Sequence, residues 1–151
     1  MSFMIACTIG IGLNTYAQNP GDYRSITSGD WGAASTWERF NGSLWVINPP
    51  APGSGDGAIT IRSGHNVTLS AAVTADQVVV DAGGTLTQNF NLNLADGPGN
   101  DLTINGTWNW QGSETAGPGN AQIGPAGALN FTTDVNKFVS ASITSNGTLN
   151  W

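Results

Sequence analysis

The sequence predicts an all-β fold: a parallel β-helix or solenoid with coils of ~20–22 residues. Three observations carry this prediction. Five glycines, Gly64, Gly84, Gly106, Gly127 and Gly147, recur at gaps of 20, 22, 21 and 20 residues. The last four open one phrase: Gly84-Thr85-Leu86-Thr87, Gly106-Thr107-Trp108-Asn109, Gly127-Ala128-Leu129-Asn130 and Gly147-Thr148-Leu149-Asn150. A strand-like phrase precedes each glycine: Ile59-Thr60-Ile61, Val78-Val79-Val80, Leu102-Thr103-Ile104, Gln122-Ile123 and Ser142-Ile143. No apolar 3.6-residue period persists beyond the N-terminus, so long helices are not expected.

The N-terminal segment 1–17 reads as a signal peptide. Phe3 to Leu13 is apolar and too short for a membrane-spanning helix, which needs roughly 20 residues. Thr15-Tyr16-Ala17 places small residues at −3 and −1 of a cleavage point before Gln18. Cys7 is the chain's one cysteine, so the mature chain would hold neither a disulfide nor a thiolate metal site. Residues 18–57 read as a Trp-rich N-terminal cap and a loop. Asn41-Gly42 between Trp37–Phe40 and Leu44–Ile47 signals a hairpin, and the Pro/Gly run 49–57 excludes regular structure.

Residues 58–151 hold the coils, each with two or three short strands. Pairs flanking each bend are expected to point inward: Ile104 with Trp108, Ile123 with Leu129, Ile143 with Leu149. The five periodic glycines are expected as structural turns, with Asn105-Gly106 and Asn146-Gly147 tolerating left-handed backbone. Stacking would align Leu86, Trp108, Leu129 and Leu149 in one ladder. Trp110, Phe131 and Trp151 would align in another, interrupted by Gln88. Segments 95–101 and 112–120, both containing Gly-Pro-Gly-Asn, read as insertions that loop out. The repeat phrase runs up to Trp151, which leads us to expect either a continuation of the solenoid or self-association at the C-terminal edge. Right-handed winding is the default for parallel crossovers.

Ten acids against Arg24, Arg39, Arg62 and Lys137 give a net charge of −6. Nucleic-acid binding needs a basic stripe to neutralise phosphates, and none is present. Nucleophilic catalysis would have to use His65, the single histidine, and no Gly-x-Ser-x-Gly context surrounds any serine. The acids sit mostly beside Gly, Pro or Asn, and no two fall at equivalent positions of adjacent coils, so a paired-carboxylate mechanism is not expected. Asp96 and Asp101 flank a glycine loop but match no Ca²⁺-binding pattern. The expectation is no catalytic residue, no metal and no cofactor.

The succession Tyr23-Arg24-Ser25, Gly29-Asp30-Trp31, Ser35-Thr36-Trp37, Gly57–Ile61, Gly64–Leu69 and Gly83–Leu86 resembles the N-terminal segment of secreted β-helix proteins of Bacteroidota-type bacteria. It is also similar to the extracellular domain family named for its eight glycines. The resemblance covers residues 23 to about 87. It implies export by a type IX-like route and a larger secreted or cell-surface protein. The expected function is a structural and adhesive β-solenoid module, with extracellular polysaccharide or a cell surface as partner. The alternative is a carbohydrate-binding or targeting module of a polysaccharide-active enzyme. Trp31, Trp37 and Trp45 are the glycan candidates, because an exposed indole stacks on a sugar ring; buried, they would close the solenoid's end.

Overall fold

The computed structural model describes residues 18–112 and 114–151, so the signal-peptide reading and Cys7 lie outside the described residues. The fold is an all-β parallel solenoid of about four turns. The leading segment supplies β1 (Tyr23–Ser25), β2 (Gly29–Asp30), β3 (Trp37–Phe40) and β4 (Trp45–Ile47). The coils follow. The first contains β5 (Ile59–Ile61), β6 (Asn66–Leu69) and β7 (Val73–Ala75). The second contains β8 (Val78–Val80), β9 (Thr85–Gln88) and β10 (Leu92–Leu94). The third contains β11 (Leu102–Ile104), β12 (Thr107–Trp110) and β13 (Glu114–Ala116). The fourth contains β14 (Asn120–Ile123), β15 (Ala128–Phe131) and β16 (Phe138–Val139), and β17 (Ser142–Ser145) and β18 (Thr148–Asn150) begin another.

Corresponding strands stack into three sheets, ordered β17-β14-β11-β8-β5-β1-β3-β4, β18-β15-β12-β9-β6-β2 and β16-β13-β10-β7. Pairing between coils is parallel throughout, while β3 and β4 join the first sheet antiparallel. Alternation sends the first and last side chains of strands such as β5 and β11 inward, at Ile59/Ile61 and Leu102/Ile104, while in β13 the middle residue, Thr115, is the inward one. The core is therefore a set of ladders. Val67, Leu86, Trp108, Leu129 and Leu149 share one rung position, and Leu69, Gln88, Trp110 and Phe131 share the next. The second ladder is interior: Gln88 and Trp110 are fully buried. Gln88 fits there because its amide is satisfied. Its Oε1 accepts from Trp108 Nε1 (3.0 Å) and Thr115 Oγ1 (3.2 Å), and its Nε2 donates to the Glu114 carbonyl (2.7 Å).

Four expectations need correction. Ile143 faces inward as expected, but beside Ala121; Ser145 takes the rung of Ile123, because the first sheet advances by 22 residues here and the second by 20. Segment 112–120 is not simply an insertion, since it contains β13 and completes the third face. Gly64 is in register with Gly83 rather than Gly84, and His65 occupies the slot of the later periodic glycines. Neither Asn105-Gly106 nor Asn146-Gly147 adopts the left-handed backbone expected of them; among the periodic five only Gly64 (φ +81°) has a positive φ.

Gly84, Gly106, Gly127 and Gly147 are instead required by closeness. A Cβ at Gly84 would lie 2.8 Å from the Ile61 carbonyl oxygen. At Gly106 it would overlap the carbonyls of Gly84 and Asp81, at Gly127 that of Ile104, and at Gly147 those of Gly127 and Gly124. The repeated glycine lets each coil settle against the backbone of the preceding one.

Candidate ligand-binding groove

Trp31 and Trp37 belong to the core, 3% and 0% exposed. Their rings meet edge to face at 5.1 Å, and Tyr23 packs edge-on against Trp37 at 6.5 Å. Both indole N–H groups are satisfied: Trp31 donates to the Pro52 carbonyl (2.9 Å) and Trp37 to the Trp31 carbonyl (2.8 Å). Neither ring has a free face for a sugar. The Pro-rich loop pins Trp31 in place by accepting that bond.

Trp45 differs. It is half-buried on β4, at the outer edge of the first sheet, with Phe40 tilted against it at 5.3 Å. The Arg24 guanidinium lies 3.9 Å from its ring centroid, and Arg24 Nε donates to Glu38 Oε1 (2.5 Å). Cross-strand register explains the group, because Arg24 faces Glu38 and Phe40 faces Trp45.

Beside Trp45 runs an open groove of about 640 Å³ on the outer face of the first sheet. Two in-register rows line its floor. Thr60, Val79 and Thr103 are the outward residues of β5, β8 and β11. Arg62, Asp81 and Asn105 follow at the ends of those strands. Arg24 continues the first row by pairing with Thr60. Burial raises the Asp81 carboxyl above the usual carboxylate range, and the neighbouring Arg62 charge partly opposes this. The sequence reading missed the groove apart from Trp45, because its floor residues lie 19 to 24 positions apart and are common outward-facing types.

The other candidates are placed as follows. His65 Nδ1 lies 2.8 Å from Ser25 Oγ, which also accepts the Arg62 backbone N–H (3.0 Å). Ser25 is fully buried, so no substrate carbonyl can reach its hydroxyl. No sequence signal links these residues, 40 positions apart.

As expected, no two acids among the described residues are equivalent in adjacent coils, since Asp101 is in register with Gln77; Asp76, one residue earlier, nonetheless lies close enough at this corner for the two carboxyls to interact. Burial, followed by the bond to Asp101 and its charge, raises the Asp76 carboxyl; the backbone N–H of Gln77 opposes this, and Asp96 adds to it. Burial also works to raise Asp101, but the N–H groups of Asn120 and Gly97 and the proton on Asp76 bring it below its ordinary value. Asp101 is fully buried and accepts from Gly97 N (2.9 Å) and Asn120 N (2.6 Å), so its oxygens hold the corner together. Among the described residues no group of three or more His, Cys, Asp or Glu side chains is arranged to hold a metal ion. No helix among the described residues is long and apolar enough to cross a membrane.

No protein-family model, curated protein or solved structure matches this chain.

Proposed function

We propose that this chain is an exported structural and adhesive module, the N-terminal part of a larger secreted or cell-surface β-solenoid protein. The observation supporting this reading is the in-register parallel stacking on all three faces. Such a stack grows by ~4.8 Å per coil, and each coil contacts chiefly its neighbours, which makes a stiff spacer. In this reading residues 1–17 direct export and the Trp-rich segment caps one end. The outer edges of β16, β17 and β18 then receive a further coil or a second copy. Phe138, Val139 and Leu149 are exposed there, and residues 138–151 carry no charged side chain to discourage strand pairing.

The test is fractionation of the source cells, followed by immunoblotting with antibody against residues 23–151. A band well above 15.6 kDa in the envelope or medium supports the reading. Confinement to the cytoplasm sinks it.

A second reading, a carbohydrate-binding module, is favoured by one observation: Trp45 remains partly exposed in the wall of a polar groove.

A further inference from the structure

The charges around the groove select among its possible occupants. Arg24 is neutralised by Glu38 at 2.5 Å, and Arg62 stands in register beside Asp81. The wall adds a third acid, Asp22, whose oxygens already accept from Asn19 N (2.7 Å) and Ala58 N (3.0 Å). The groove therefore has no surplus positive charge, and the chain around it carries −6. An anionic ligand would find no net attraction. An apolar ligand would bury the Arg62, Asp81 and Asn105 heads without partners, which opposes binding at each unsatisfied group.

A neutral sugar meets neither obstacle. Its hydroxyls both donate and accept. Asp81 only accepts, Arg62 only donates, and Thr60, Thr103 and Asn105 do both. Arg62 and Asp81 sit on neighbouring coils, so one hydroxyl can donate to Asp81 while its neighbour accepts from Arg62. Val79, between the two threonines, offers an apolar patch to the C–H face of a ring. Successive rungs are ~4.8 Å apart, close to the advance of one pyranose in an extended glycan. Arg24 holds the Trp45 indole at the groove's side.

We propose that this groove binds a neutral oligosaccharide laid across the coils. Arg62, Asp81 and Asn105 would read its hydroxyls, Thr60 and Thr103 would line its floor, and Trp45 would bound it. The inference rests on the carbohydrate-binding reading and gives it a place and a ligand class.

The test is affinity electrophoresis of the full chain in gels containing a β-glucan, a xylan, a mannan or polygalacturonate. The variants are Arg62→Ala and Thr103→Val, with Thr144→Val as a control. Thr144 belongs to the same outward row on β17 but lies outside the groove. Arg62 is exposed, and unchanged thermal midpoints would establish that the variants fold. The expected result is retardation by at least one neutral polysaccharide. Arg62→Ala should weaken it about 10-fold or more, as loss of a charged hydrogen bond does, Thr103→Val less so, and Thr144→Val not at all. Retardation that all three variants preserve would overturn the site while leaving a glycan-binding module. Retardation by polygalacturonate alone would overturn the ligand class. No retardation by any of the four polymers would overturn both the inference and the reading beneath it.

Discussion

The two ends of the stack contain the same kinds of residue in opposite circumstances. At one end Trp37 is fully buried, its indole N–H bonded and its ring flanked by Trp31 and Tyr23. At the other end Trp151 is 88% exposed and stacks on Phe131 at 4.0 Å. The contrast recurs within a single ladder: Leu86 and Leu129 are 1% exposed, Leu149 45%. A solenoid slot is thus not buried by its own coil. It becomes core when a coil lies on each side, so position along the stack decides what a residue contributes more than residue type does.

The largest expected effect tests that contrast directly. Trp37→Ala removes a fully buried ring and its hydrogen bond, and should cost about 3–5 kcal/mol. Trp151→Ala should cost less than about 1 kcal/mol, since only one stacking contact is lost. Urea denaturation of both variants checks the pair, and equal losses would remove the distinction between the ends.

The glycines sharpen it. Alanine at Gly106 drives a Cβ into carbonyls of the preceding coil while another coil holds it from the far side, and should cost about 2–3 kcal/mol. Alanine at Gly147 meets the same kind of obstruction, but β18 has no pairing strand beyond it among the described residues and can lift away. Its cost should stay near 1 kcal/mol. Gly64→Ala has no steric neighbour, so only its φ of +81° opposes the change, at about 1 kcal/mol. Thermal midpoints of the three variants give the order.

What was legible in the sequence follows the same logic. The ladder Leu86–Trp108–Leu129–Leu149 could be read because one phrase recurs with its glycine. The third face could not: Val73-Thr74-Ala75, Leu92-Asn93-Leu94 and Glu114-Thr115-Ala116 share no motif, and one or two inward side chains per strand do not make a period. The corner at 95–101 is longer than its counterpart in the following coil, which spaces Asp76 and Asp101 25 residues apart and hid their pairing from a 21-residue reading. The periodic glycine itself was seen, but for the wrong reason. Turn chemistry suggested left-handed backbone, whereas its cause is contact between coils, which exists only once the register is known. Trp45 was seen as a residue; the groove beside it required three coils in register.

The carboxyl pair gives a pH signature to the middle of the stack. The raised Asp76 pKa means that ionising Asp76 disfavours the folded state, so stability falls as pH rises from the ordinary Asp value through the raised one. The lowered Asp101 pKa contributes stability above the ordinary value, lost as pH falls through the depressed one. Stability should therefore peak in weak acid, where the pair holds one proton. Asp76→Asn keeps a donor toward Asp101 without the ionisation. It should raise the denaturation midpoint at pH 7, change it little near pH 4, and flatten the decline between them. An unchanged slope would mean that the pair does not carry the pH dependence.

The smallest effect concerns the outer surface of the second sheet, where Asn109, Asn130 and Asn150 form a hydrogen-bonded row. Asn130 Nδ2 donates to Asn109 Oδ1 (2.8 Å), and Asn150 Nδ2 donates to Asn130 Oδ1 (2.7 Å). Asn130 takes part in both bonds and Asn150 in one. These amides stay within reach of water, which replaces a lost partner at little cost. Asn130→Ala should lower stability by about 1 kcal/mol and Asn150→Ala by about half that. The double variant should lose no more than Asn130→Ala alone, because removing Asn130 already breaks the bond to Asn150. A double-mutant cycle in urea measures this directly. Full additivity would show that the row is three independent surface residues, and that the two ends differ only in what their cores bury.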